Sequence, residues 1–129
     1  MAEGQKFNYL SLKTTTDFIN TKIAQRPIMV FSKSYVPECK ETALILESLK
    51  VYKGDFEICN IEKRQDCALI ETYLMKICNE PCRKVPRIFI SHKYFGSYED
   101  LNRIVSSGEL KEMINKNHWA ASRYKQEYE

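Results

Sequence analysis

Ile28-Met29-Val30-Phe31-Ser32-Lys33-Ser34-Tyr35-Val36-Pro37-Glu38-Cys39 is the stretch on which the fold turns. Its first four residues form a short, apolar, partly β-branched run, the composition of a strand buried on both faces. Ser34-Tyr35-Val36 interrupts the run, and Pro37 suits the first turn of a helix, where its missing N–H costs nothing. Beyond it Cys39, Ala43, Leu46 and Leu49 recur at helical spacing, while Lys40, Glu41, Glu47 and Lys50 face away. A buried strand feeding a helix through a tight loop is the first half of a parallel, right-handed crossover.

Upstream, Thr14-Thr15-Thr16-Asp17 reads as a capped helix start, with Phe18, Ile19 and Ile23 on one side and Pro27 as the stop. Downstream, Gly54 permits a turn and Phe56-Glu57-Ile58-Cys59 reads as a second strand, parallel to the first. Leu69, Ile70, Tyr73, Leu74 and Ile77 mark a third helix, ended by Asn79-Glu80-Pro81. Arg87-Ile88-Phe89-Ile90 and Lys93-Tyr94-Phe95 flank Ser91-His92, a connection short enough for an antiparallel hairpin, which Gly96 closes. Leu101, Ile104, Val105, Leu110, Met113 and Ile114 form the apolar sides of one or two short helices broken near Ser107-Gly108. The expected fold is α/β, a four-stranded mixed sheet flanked by helices. Residues 14–114 make the domain, residues 1–13 an N-terminal extension and residues 115–129 a C-terminal tail.

A chain of 129 residues, 43% hydrophobic and 29% charged, has the size and composition of one folded domain. The net charge of +3 is a mild bias toward small anions and indicates no nucleic-acid surface. There is neither a secretory leader pattern nor a run of apolar residues long enough to span a bilayer. A cytoplasmic monomer without a membrane partner is the expectation. The five cysteines, an odd number, suit a reducing compartment better than a disulfide framework.

The chemistry is expected at the helix start. Exposed N–H groups and the positive end of a helix stabilise a thiolate, the reactive form of cysteine. The residue best placed for that effect is Val36, which can neither ionise, attack a disulfide nor bind a metal. Cys39 lies almost one turn deeper, on the face that carries Ala43 and Leu46. It reads as a poorly exposed thiol whose pKa burial raises.

The segment Phe31-Ser32-Lys33-Ser34-Tyr35-Val36-Pro37-Glu38-Cys39 resembles the active-site segment of the glutaredoxin family, Cys-Pro-x-Cys, with its first cysteine replaced by Val36. Val85-Pro86 is similar to the family's Thr-Val-Pro loop, and Gly96-Ser97-Tyr98-Glu99-Asp100-Leu101 to its Gly-Gly-x-x-Asp-Leu segment. The likeness runs from about residue 14 to residue 114 and implies a thioredoxin-like fold. It also implies a glutathione-dependent thiol-disulfide oxidoreductase that reduces protein–glutathione mixed disulfides, with glutathione as co-substrate and glutathionylated proteins as partners. Each exchange step needs a thiolate and a good leaving sulfur.

Carried over residue by residue, the resemblance gives Lys33 and Arg87 as cations for glutathione's carboxylates or for a thiolate. Val85, before a cis Pro86, would pair its backbone with the tripeptide. Asp100, with the backbone at Glu99, would hold the γ-glutamyl end. Tyr35 is a wall of the site or an ordinary turn aromatic, Lys33 could instead be merely solvated, Arg87 is as readily a residue without a ligand role, and Asp100 could cap its helix as well as bind.

The departures from the pattern are Val36, Lys84 for the threonine before Val-Pro, Ser97 for the second glycine, and Glu71 for a usual glutamine. With Val36 the chain should be inactive or impaired and should bind no iron–sulfur cluster or other metal. Cys39 is left in the resolving position, and Glu71 would repel a glycyl carboxylate. The alternative is a non-catalytic glutathione-binding module, or redox chemistry moved to Cys39 or to Cys78 and Cys82.

Cys78-Asn79-Glu80-Pro81-Cys82, which makes the chain about two residues longer here than the family pattern, admits three readings: reduced thiols, a redox pair or half a metal site. Cys59 and Cys67 read as packing or surface thiols. His92, in the hairpin turn, and His118, in the tail, read as exposed and not catalytic. Trp119, Tyr124 and Tyr128 either dock the tail or belong to a frayed end.

Overall fold

The computed structural model describes residues 2–48 and 53–116. His118, Trp119, Tyr124 and Tyr128 lie outside the described residues, as do Leu49 and Lys50. In chain order the elements are α1 (Ala2–Gln25), β1 (Ile28–Ser32), α2 (Pro37–Ser48), β2 (Phe56–Asn60), α3 (Cys67–Cys78), β3 (Arg87–Ile90), β4 (Lys93–Gly96), α4 (Tyr98–Ser107) and α5 (Glu109–Lys116).

The strands form one sheet in the order β2-β1-β3-β4. β1 runs parallel to β2, with Ile28 opposite Phe56 and Ser32 opposite Asn60, and antiparallel to β3, with Ile28 opposite Ile90 and Phe31 opposite Arg87. Between β3 and β4 Ser91 and His92 both take positive φ, 55° and 70°, the twist that a two-residue hairpin needs. This is the thioredoxin-like arrangement expected from the sequence.

Alternation along β1 divides the core. Ile28 and Val30 face one side with Leu46, Ile88, Ile90, Leu101, Ile104 and Leu110, under α2, α4 and α5. Met29 and Phe31 face the other with Ile19, Ile61, Ile70, Leu74 and Phe89, under α1 and α3. Each such buried aliphatic or aromatic side chain contributes about 1.5–3 kcal/mol of transfer free energy, so the sheet is clamped from both faces and its strand ends are held in place.

Two local expectations are corrected. Thr14-Thr15-Thr16-Asp17 does not begin a helix, because α1 runs unbroken through it from Ala2. The fully buried Thr15 gives its hydroxyl to Asp66 (2.6 Å) and Thr16 bonds back to the Lys13 carbonyl (3.0 Å), so neither caps. The inward stripe of α2 is Cys39, Thr42 and Leu46, with Ala43 at its edge. Thr42 can be buried because its hydroxyl is satisfied by the Glu38 carbonyl at 2.8 Å.

Polar contacts set the helices against the sheet. Glu57 of β2 takes Lys22 (2.6 Å) and Arg26 (3.4 Å), and Asp66 takes Arg64 (2.8 Å), whose guanidinium lies 3.8 Å above the Phe18 ring. Among the described residues no helix is long and apolar enough to cross a membrane.

Candidate functional site

The loop from β1 to α2 is wound tightly around Val36. Its amide donates to the Lys33 carbonyl (3.1 Å), and its own carbonyl accepts from Cys39 N (3.0 Å) and Lys40 N (3.1 Å), opening the helix. Val36 therefore stands at the positive end of α2, half-buried, with Tyr35 beside it 64% exposed. One turn in, Cys39 is only 3% exposed and its Sγ accepts from Lys33 N at 3.4 Å. Burial pushes the Cys39 thiol up, against the opposing pull of the Lys33 amide and Ser32. The helix dipole acts on a side chain that cannot ionise, and the nearby thiol is held in its protonated form.

Across the loop from Val36, Lys33 donates to Glu71 of α3, and Glu71 also takes Arg83 at 3.2 Å. Hydrogen bonding to Glu71 is the main reason the Lys33 ammonium holds its proton more tightly than usual. Cys67, one turn before Glu71 on the same face, is half-buried; burial and the Glu71 charge push its thiol up while Lys33 works against them. Arg83 was not singled out by sequence. Its signal was the half-buried acid at Glu71, which needs more than one cation nearby, but the pairing joins residues 12 apart and carries no periodicity.

A shallow cleft lies between α3 and the loop before β3, lined by Glu71, Leu74, Arg83, Lys84, Val85 and Arg87. The Val85–Pro86 peptide is cis, as expected. Among the described residues Val85 has no backbone partner for its amide or carbonyl. Beside it Lys84 reaches Glu99 at 3.5 Å, and the Ser97 hydroxyl, then the backbone amide of Glu99 and the Lys84 charge, hold the Glu99 carboxyl below its usual range.

At the start of α4 Asp100 closes a capping box. It accepts from Ser97 N at 3.0 Å and from the Ser97 hydroxyl at 3.3 Å, and its other oxygen takes Arg103 at 3.4 Å. The preceding Gly96 has φ +153°, and a Cβ there would run into the Asp100 carboxylate.

Arg87 reaches the cleft only from its buried side. Alternation along β3 puts it on the same face as Phe89, where it is 1% exposed. Its guanidinium donates to Glu80 (2.8 Å), the Cys82 carbonyl (2.5 Å) and the Tyr94 hydroxyl (3.4 Å). These contacts hold the 80–82 segment to the sheet. Lys33, Tyr35, Val36, Cys39, Lys84, Val85, Pro86, Glu99 and Asp100 thus surround one end of the sheet, with Arg87 beneath.

No protein-family model matches the chain. Individual relatives do: glutaredoxin-1 of Rhizophagus irregularis is 33% identical over 98 residues, covering 76% of this chain and 92% of the relative. Glutaredoxin-1 of Oryctolagus cuniculus is 33% identical over 94 residues, 73% of this chain and 87% of the relative. The chain belongs to the glutaredoxin family. Solved glutaredoxins share its fold. Oxidised glutaredoxin 2 of Chlamydomonas reinhardtii superposes with a TM-score of 0.72 at 25% identity, covering 82% of this chain and 95% of that one. A buckwheat glutaredoxin–glutathione complex gives 0.73 at 22% identity, covering 82% and 92%.

In this glutaredoxin the cations at the cleft are paired internally: Lys33 and Arg83 with Glu71, Lys84 with Glu99, and Arg87 with Glu80. Lys33, Arg83 and Glu71 together still carry one net positive charge, so an anion is attracted but must compete with Glu71 for the same donors.

Proposed function

We propose that this glutaredoxin holds glutathione, free or as the mixed disulfide of a protein, and that Val36 leaves the site unable to turn it over. The observation that carries the reading is the pairing of an apolar side chain at the start of α2 with a Cys39 thiol that is 3% exposed. The family reaction, reduction of protein–glutathione mixed disulfides, begins with a thiolate at position 36, and neither residue supplies one.

The groups around the cleft fit the tripeptide. The open backbone of Val85, turned by cis Pro86, suits an extended peptide added as a short strand. Lys33 and Lys84 suit its carboxylates, with Arg83 joining them. The α4 start, with Glu99 and Asp100, offers backbone N–H groups to the γ-glutamyl carboxylate and a carboxylate to its ammonium. Tyr35 forms the outer wall. Arg87, at the buried side of the cleft, supports this loop through its Nη atoms, which bond to Glu80, Cys82 and Tyr94.

The test is glutathione-coupled reduction of a small glutathione mixed disulfide by this chain and by Val36→Cys at equal concentration. Turnover by the variant alone is expected. Equal turnover by both would move the nucleophile elsewhere. Silence in both, joined by unshifted amide signals at Lys33, Val85 and Asp100 on titration with glutathione, would remove the glutathione reading altogether.

A further inference from the structure

Cys78 and Cys82 do not line the cleft: Cys78 packs at the edge of the core beside α3, and Cys82, four residues on, is exposed. Cys78 is the last residue of α3, and Asn79 reverses the chain there in the left-handed conformation, φ 55°. Asn79 N bonds to the Lys76 carbonyl (3.3 Å), Glu80 N to the Met75 carbonyl (3.1 Å) and Cys82 N to the Glu80 carbonyl (2.9 Å), so the segment curls back over the helix end. Both thiols feel the charge of the buried guanidinium of Arg87, and Cys82 touches it. The Cys82 sulfur lies 3.9 Å from its Nη2, and Arg87 and Glu80 are the charges that act on Cys78. Cys82 is exposed and Cys78 is 7% exposed.

From this geometry we propose that Cys78 and Cys82 form a reversible disulfide by exchange with glutathione disulfide, a redox site separate from the Val36 cleft. Cys82, the one of the two that solvent reaches, is the attacking thiol. As its thiolate it displaces one sulfur of glutathione disulfide. A Cys82–glutathione bond forms, the glutathione S–S bond breaks, and one glutathione leaves as a thiolate that takes up a proton. Cys78 then gives its proton to solvent and attacks the Cys82 sulfur, releasing the second glutathione. Two protein thiols are oxidised and one glutathione disulfide is reduced to two glutathione molecules. Burial pushes the Cys78 thiol up to about 12, so the second step is the slow one and the Cys82 adduct precedes the closed disulfide. The site asks nothing of position 36 and does not depend on glutathione binding in the cleft.

The experiment is incubation of the full chain with glutathione disulfide, alkylation of the remaining thiols over time, and mass mapping of all five cysteines. The expected product lacks two hydrogens and carries one cross-link, between Cys78 and Cys82, preceded by a glutathione adduct on Cys82. Cys78→Ala should stop at that adduct, and Cys82→Ser should give neither adduct nor cross-link at this loop. If Cys78→Ala fails to fold, judged by its circular dichroism, the time course of the unmodified chain together with Cys82→Ser decides. A cross-link through other cysteines, an adduct on Cys82 that never closes in the native chain, or an unreactive Cys82 would each overturn the proposal.

Discussion

Two side chains, Val36 and Glu71, set the behaviour of the cleft. A thiol introduced by Val36→Cys would sit at the helix start with only the loop around it, whereas Cys39 is buried and its thiol is raised. With iodoacetamide at neutral pH, the new thiol should alkylate at least about tenfold faster than Cys39; equal rates would mean that the helix end does not lower a thiol pKa here. Glu71 occupies Lys33 and Arg83 with its two oxygens. Glu71→Gln frees both cations, and because such an ion pair contributes about 1 kcal/mol, glutathione should bind roughly fivefold more tightly. Calorimetry at low and high salt checks this. The gain should shrink with salt, and an unchanged affinity would show that Glu71 does not compete with the ligand.

The turn from β4 into α4 is the element that most depends on single residues. Gly96 is needed because its φ of +153° is unsuited to other residues and because the Asp100 carboxylate occupies the space where a Cβ would stand. Asp100 is there because it caps the helix through Ser97. Gly96→Ala should therefore cost about 2 kcal/mol and Ser97→Ala about 1 kcal/mol, read from urea midpoints at constant slope. The two effects should not add, since both act through the position of Asp100. Retention of full stability by Gly96→Ala would mean that α4 can shift without loss, and the cap would not be holding it.

At the scale of the molecule, the elements were legible wherever apolar periodicity is strong. Ile28 to Phe31, the stripe from Leu69 to Ile77 and the hairpin around Ser91-His92 all lie where their pattern puts them, and the sheet is mixed as the connection lengths require. The start of α1 was not legible, because residues 2–13 carry little apolar pattern and the threonines that resemble a cap bond sideways or backward instead. The burial of Arg87 was not legible for a related reason. A cation beside a proline loop usually faces solvent, and the partners that draw this one inward, Glu80, Cys82 and Tyr94, come from a non-periodic loop and a separate strand. That buried cluster has a global consequence at high pH. Burial pushes the Cys78 thiol from 9.0 up to about 12 and the Tyr94 hydroxyl from 10.0 up to about 12. Both groups keep their protons in the folded state at pH values where the unfolded chain has lost them. Their protonated burial stabilises the fold fully below about pH 9, and above it the unfolded state binds fewer protons, so stability falls as pH rises toward about 12. Each group can contribute a slope of at most about 1.4 kcal/mol per pH unit. Urea midpoints should therefore be flat between about pH 7 and pH 8.5 and drop by about pH 10.5. In Cys78→Ala the chain should be less stable throughout but fall less steeply with pH. A native midpoint that held steady to about pH 11 would mean that neither proton is protected by the fold.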